Sequence, residues 1–146
     1  MRTVTRIEQP QVASRKRVAA YCRVSTDKDA QLESLDNQME AFRYRAAQRG
    51  DWDLVNIYAD EGLSGTSMTH RVQFQQMIED CKAGEIDYII TKSISRFARN
   101  TVDTLQTVRD LQSHGVQVFF EKEGIDTADA LSEMVLTIMA SFAQEE

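Results

Sequence analysis

The strongest constraint on the fold is a regular alternation of short β-prone apolar runs with longer segments whose apolar residues recur every three or four positions. Val18 to Ser25, Asp53 to Ala59, Ile86 to Thr91 and Val116 to Glu121 read as strands. Between them, Ser34 to Arg49, Val72 to Ala83 and Val102 to His114 read as helices, and a last helix begins at about Ala130. Leu35, Met39, Phe42 and Ala46 form one apolar stripe, and Phe74, Met77, Ile78 and Cys81 form another. Gly50, Gly84 and Gly115 stand where helices commonly end. Consecutive parallel strands need crossover connections, so this pattern predicts an α/β fold with a mostly parallel central sheet and helices on both faces.

The ends of the chain read differently. Residues 1–16 are polar, hold the only proline, Pro10, and show no periodicity, so they are expected to form a flexible arm. In the last helix, Leu131, Met134, Val135, Leu136, Ile138, Met139, Phe142 and Ala143 make an apolar surface wider than one sheet contact needs, which predicts self-association. The run Gln144-Glu145-Glu146 carries no stop signal, as expected of a fragment of a longer protein. The 146 residues, 42% of them hydrophobic, suit one compact domain. Cys22 and Cys81 have no metal-ligand spacing and read as small buried hydrophobes, in keeping with a reducing cytoplasm. No apolar run has membrane-spanning length, so no membrane partner is expected.

The chemistry concentrates at two strand ends. Arg17-Val18-Ala19-Ala20-Tyr21-Cys22-Arg23-Val24-Ser25-Thr26-Asp27 runs from an apolar strand into an arginine and hydroxyl pair. Tyr88 to Asn100 repeats the arrangement, with a strand that releases Lys92, Arg96 and Arg99. Ligands of open α/β sheets bind at such ends. The chain has no nucleotide-binding glycine loop and no phosphatase cysteine loop, and His70 and His114 lack clustered acids, so neither a metal nor a cofactor is expected. Ser25 is the best remaining nucleophile. Strand alternation puts Arg23 and Ser25 on one side, and fixed guanidinium groups can offset charge growing on phosphate oxygens. The three-residue spacing of Arg96 and Arg99 gives them one face if the segment is helical. Taken singly, Ser25 reads as a turn residue and the arginines as solvated charges. Taken together on two strand ends, they point to attack on a phosphate ester.

These residues resemble the serine recombinases, the resolvase/invertase superfamily. Tyr-x-Arg-Val-Ser-Thr, Tyr21 to Thr26, resembles the family's nucleophile motif, and Ser-Arg-Phe-x-Arg-Asn, Ser95 to Asn100, its arginine motif. The likeness extends from Arg17 to Glu146, which implies a resolvase-like catalytic domain with flavodoxin-like strand order. It implies that Ser25 joins DNA through a 5′-phosphoserine bond, with Arg23, Arg96 and Arg99 around the phosphate. It further implies that Gln38, Asp60 and Arg71 belong to the active site, while Lys92, Ser95 and Arg45 are expected, as basic and hydroxyl residues, to bind DNA phosphate. The implied partners are double-stranded DNA and further copies of the chain, a dimer and, in the active synapse, a tetramer.

Many small resolvases carry an aspartate where this chain has Ser95, and a proline is common after the position of Arg71, here followed by Val72-Gln73. The arm, the stretch from Thr26 to Leu35 and Lys-Ser-Ile-Ser-Arg-Phe-Ala-Arg-Asn look more like large serine integrases and transposases. The net charge of -6 runs against DNA binding unless recognition lies in other domains, as the resemblance implies. Arg43, Arg45 and Arg49 have two readings, extension of a basic patch or solubilising charge on an exposed helix face. Gly62 to Ser67 reads equally as a mobile loop near the site or a plain connector. A small resolvase and a non-catalytic α/β oligomerisation module are the alternatives.

Overall fold

The computed structural model describes residues 15–25, 35–62, 71–98 and 100–128, with the backbone alone at positions 24, 25, 61 and 101. Its strands are β1 (Lys16–Ser25), β2 (Trp52–Gly62), β3 (Tyr88–Thr91), β4 (Gln117–Phe120) and β5 (Ile125–Asp126). Its helices are α1 (Leu35–Gln48), α2 (Val72–Lys82), the single turn α3 (Ile94–Phe97) and α4 (Thr101–Ser113). The sheet order is β2-β1-β3-β4-β5, the flavodoxin-like order, with only β5 antiparallel to its neighbour. Residues 1–14 of the expected arm and the expected last helix lie outside the described residues, whereas Lys16, expected in the arm, opens β1 opposite Trp52.

The period-two alternation of β1 divides the core into two layers. Ala19 and Tyr21 face a layer built with Met77 and Cys81 of α2 and Val108 and Leu111 of α4. Val18, Ala20 and Cys22 face the other, which holds Phe42 of α1. Because β1 is covered on both faces and paired on both edges, its central residues from Val18 to Cys22 are all at most 1% exposed. Gly84 and Gly115 follow the last residues of α2 and α4 with φ of 82° and 78°, the left-handed conformation that ends a helix at least cost in glycine. Gly50 follows α1 without a positive φ, so there the chain turns by other means.

Three features escape the periodicity reading. β2 runs longer than the expected Asp53 to Ala59 and carries an irregularity opposite Val18/Ala19, where Leu54 and Asn56 are the successive partners and Val55 is left over. α3 and β5 are too short to show a period. β3 covers only Tyr88–Thr91, although Ile86 ahead of it is buried and the Asp87 backbone already bonds Arg17 and Gln117 of the flanking strands.

Asp87 ties the entry of β3 to β1. Its carboxylate accepts from the Arg17 backbone amide at 2.9 Å and from Arg17 Nε at 3.0 Å and Nη2 at 2.9 Å. The hydrogen bond from Arg17 holds the Asp87 carboxyl below its usual range. A depressed folded-state value means stability that is present above the ordinary carboxylate pKa and lost as pH falls through the lowered one. Both side chains are more than a third exposed, so screening keeps the effect small. Asp87→Asn should therefore cost about 0.2–1 kcal/mol at pH 7 by urea denaturation, and this difference should shrink in acid once Asp87 is protonated in both states.

Candidate active site

Parallel pairing brings the C-terminal ends of β1, β2 and β3 to one edge. Arg23 lies opposite Asp60, Ser25 opposite Gly62 and Tyr21 opposite Thr91. Immediately beyond β3 the chain turns through Lys92 and Ser93 into α3. Ile94 and Phe97 are fully buried, which anchors the turn and leaves Ser95 and Arg96 part-exposed. Phe97 meets Phe74 and Phe120 edge to face at 5.2 and 5.4 Å, and Phe74 meets Tyr21 at 5.1 Å. Each such contact adds about 0.5–1.5 kcal/mol beyond area burial.

A single helical turn cannot satisfy its own backbone, and here arginines complete it. Arg23 Nε donates to the Arg96 carbonyl at 3.3 Å and its Nη2 to the Ser95 carbonyl at 3.4 Å. Arg71 Nη2 donates to the Phe97 carbonyl at 2.8 Å and to the same Arg96 carbonyl at 3.3 Å. In return, the Arg96 guanidinium donates to the backbone carbonyl of Arg23. Arg23 and Arg96 are thus joined reciprocally two residues before Ser25 ends β1. Positive side chains at the C-terminal end of a helical turn also match its dipole. The site gathers three guanidinium groups from three remote segments at one sheet edge.

Asp60 and Arg71 are buried, at 8% and 7% exposure, and are linked through Tyr21. Arg71 Nε donates to the Tyr21 hydroxyl at 3.3 Å, and that hydroxyl donates to Asp60 Oδ2 at 2.7 Å. Burial lifts the Tyr21 pKa far above the ordinary phenol range, with Arg71 pulling the other way and the bond to Asp60 adding to the rise. Asp60 Oδ1 and Oδ2 also accept from the amides of Gln73 and Phe74, both at 3.0 Å. These are early amides of α2, whose own N-cap residue, Arg71, offers no side-chain cap. Asp60 therefore caps α2 from a neighbouring strand. The Arg71 guanidinium stacks on Phe74 at 3.9 Å.

Other expected site residues fall elsewhere. Gln38 is on the buried stripe of α1, with Phe42 and Ala46, so it belongs to the layer opposite the arginines. The residue is 3% exposed, and its side-chain amide has no hydrogen-bond partner among the described residues. Arg45 pairs with Glu121 and covers the Phe42 ring on that opposite layer, which places it apart from the cluster. Arg43 pairs with Glu40, and Arg49 pairs with Asp51 and stacks on Trp52 at the far end of α1, so neither extends the basic edge. Ser95 Oγ lies 3.2 Å from Ser93 Oγ, and Lys92 is exposed beside them. α3 ends at Phe97 and Ala98 is extended, so the helix presumed to align Arg96 with position 99 stops short. Arg99, His70 and most of the Gly62 to Ser67 loop lie outside the described residues, as does the Ser25 side chain. Among the described residues no group of histidines, cysteines or acids is arranged to hold a metal.

The structural role of Tyr21 was not legible in the sequence, where its hydroxyl carried no signal. Tyr21→Phe removes one hydroxyl and leaves two buried charged groups each short of a partner. Equilibrium urea unfolding should show a loss of about 1–3 kcal/mol, whereas an unchanged midpoint would mean that the hydroxyl bridge contributes nothing.

Residues 18–146 match the family described as "Resolvase, N terminal domain". The chain is 29% identical over 130 residues to Transposon Tn3 resolvase of Escherichia coli, covering 89% of this chain and 63% of that protein. It is 26% identical over 133 residues to Serine recombinase PinR of Escherichia coli (strain K12), covering 89% of this chain and 62% of the relative. It therefore spans less than two thirds of the length of these relatives. Among solved structures it is similar to the N-terminal catalytic domain of TP901-1 integrase, with TM-score 0.67, 30% identity, and coverage of 88% of this chain and 95% of that one. A resolvase family site-specific recombinase from Streptococcus pneumoniae gives TM-score 0.63 and 32% identity, over 88% of this chain and 89% of the other. With the sheet order, the arginine-lined strand edge and this match over nearly its whole length in agreement, the chain belongs to the resolvase N-terminal domain family of site-specific serine recombinases.

Proposed function

We propose that residues 17–146 are the catalytic domain of a serine recombinase that cuts and rejoins DNA through Ser25, in the manner of an integrase or transposase. The observation that carries this reading is the reciprocal pairing of Arg23 and Arg96 at the end of the strand that Ser25 terminates. Ser25 Oγ attacks the phosphorus, a serine–phosphate bond forms, and the bond to the 3′ oxygen breaks. The serine proton is released and the departing 3′ oxygen is protonated. The 5′ phosphate stays on Ser25. Rejoining reverses these steps with a new 3′ hydroxyl, so one phosphodiester is exchanged for another and no nucleotide triphosphate is consumed.

The guanidinium groups of Arg23, Arg96 and Arg99 stabilise charge on the non-bridging oxygens, with Lys92 and Ser95 on the adjoining phosphate. A fork-shaped cation can aim two hydrogen bonds at a phosphate, which an ammonium group cannot. Asp60 and Arg71 act at one remove: with both carboxylate oxygens engaged and the guanidinium bound to carbonyls, they hold α2 and α3 in register. DNA recognition and full strand exchange are properties of the full-length protein, acting on double-stranded DNA in the cytoplasm as a dimer that pairs into a tetramer. The integrase-type reading is supported by the arginine motif and the likeness to the TP901-1 catalytic domain.

The test is recombination in vitro by the full-length protein on plasmids bearing its sites. Ser25→Ala should abolish both recombination and covalent DNA. Arg96→Lys should lower cleavage at least about tenfold with site retention changed less than about twofold. Undiminished recombination by Ser25→Ala would refute the assignment, and equal losses of cleavage and retention in Arg96→Lys would make that arginine structural.

A further inference from the structure

The arginines secure the C-terminal end of α3, and its N-terminal end is held by a residue that the catalytic reading leaves aside. The backbone amide of Ile94, the first residue of the turn, donates to Glu123 Oε1 at 3.2 Å. Ser93, the N-cap, accepts from the Arg96 amide at a longer 3.4 Å. Glu123 belongs to the tight turn between β4 and β5. That turn is fastened along the exit of β3, by Glu121 N to the Thr91 carbonyl at 3.0 Å and Lys122 N to the Lys92 carbonyl at 2.8 Å. It closes through Gly124, whose φ of 66° disfavours any residue with a Cβ and whose amide reaches the Phe120 carbonyl at 2.8 Å. Glu121, two residues earlier, is paired with Arg45 of α1. The turn is therefore a fixed platform rather than a loose connector.

We propose that Glu123 is a positioning residue for Arg96. A carboxylate caps the first amide of the turn while guanidinium groups bind its last carbonyls, so both ends are held with the sign that its dipole favours. Buried Ile94 and Phe97 fix the turn's depth, and Glu123 fixes its rotation, hence the direction in which Ser95 and Arg96 leave it. Loss of this cap frees the turn while the sheet beneath it remains intact. The catalytic consequence rests on the recombinase reading; the structural one does not.

Amide hydrogen exchange, resolved to single residues in this chain and followed in the full-length protein, tests the structural part. In Glu123→Ala, the amides of Ile94 and Arg96 should exchange about fivefold faster, with those of β1 and β3 unchanged. Glu123→Gln keeps an acceptor oxygen and should exchange like the native protein. Native exchange in Glu123→Ala, or equal acceleration in both variants, overturns the proposal. If Glu123→Ala fails to fold, Glu123→Gln alone decides: retained protection of Ile94 supports the cap and lost protection refutes it. In the plasmid assay Glu123→Ala should reduce covalent DNA about fivefold at native site retention, with Glu123→Gln restoring it. Native levels of covalent DNA in an exchange-accelerated Glu123→Ala would overturn the link to Arg96. A native protein that forms no covalent DNA would count against the recombinase reading, leaving the exchange result to decide the cap.

Discussion

One backbone oxygen, the carbonyl of Arg96, accepts hydrogen bonds from two arginines, and the candidate site depends on that junction. Arg23 comes from β1, Arg71 from the start of α2, and the carbonyl from a single helical turn after β3. Such a turn is marginal by itself, since nucleating a helix fixes several residues for one internal bond. Here the internal bond runs from the Ala98 amide to the Ile94 carbonyl at 3.0 Å, and side chains from other elements supply the rest. Folding the sheet is thus what assembles the site. A guanidinium that leaves its carbonyl must find an equally good acceptor, and a phosphate oxygen is one.

The same economy governs the charges beneath. Burying an acid and an arginine is tolerable only when their hydrogen bonds are filled. Asp60 accepts from the Tyr21 hydroxyl and from two amides of α2, and Arg71 donates to two carbonyls and to that hydroxyl. These bonds couple the first two strands to α2 and α3. The overall charge of -6 is no obstacle to a cationic edge, because the charges are unevenly spread: Arg23, Arg71 and Arg96 meet at that edge, whereas Arg17, Arg43, Arg45 and Arg49 are paired with acids elsewhere.

The sequence carried the sheet and its crossovers because β1, α1, β2, α2 and α4 each span enough residues to express a period. It carried the two strand ends because Arg23 and Arg96 follow apolar runs. What it hid is short or relational. α3 has four residues and β5 two, so neither shows a periodicity. The cap by Glu123 joins positions 29 apart, and the Tyr21 bridge to Asp60 joins positions 39 apart, which no local pattern encodes. The basic residues of α1 were ambiguous for the same reason, since only packing reveals that Arg45 turns to Glu121 across the opposite layer.

The central claim is that the hydroxyl at the end of β1 becomes bonded to DNA. Its most direct test is mass spectrometry of the peptide left on DNA after a cleavage reaction by the full-length protein is quenched and digested with nuclease and protease. The account predicts a phosphodeoxynucleotide on Ser25, linked through its 5′ phosphate. Strand breaks accompanied by a modification at another residue, or by none at all, would contradict it.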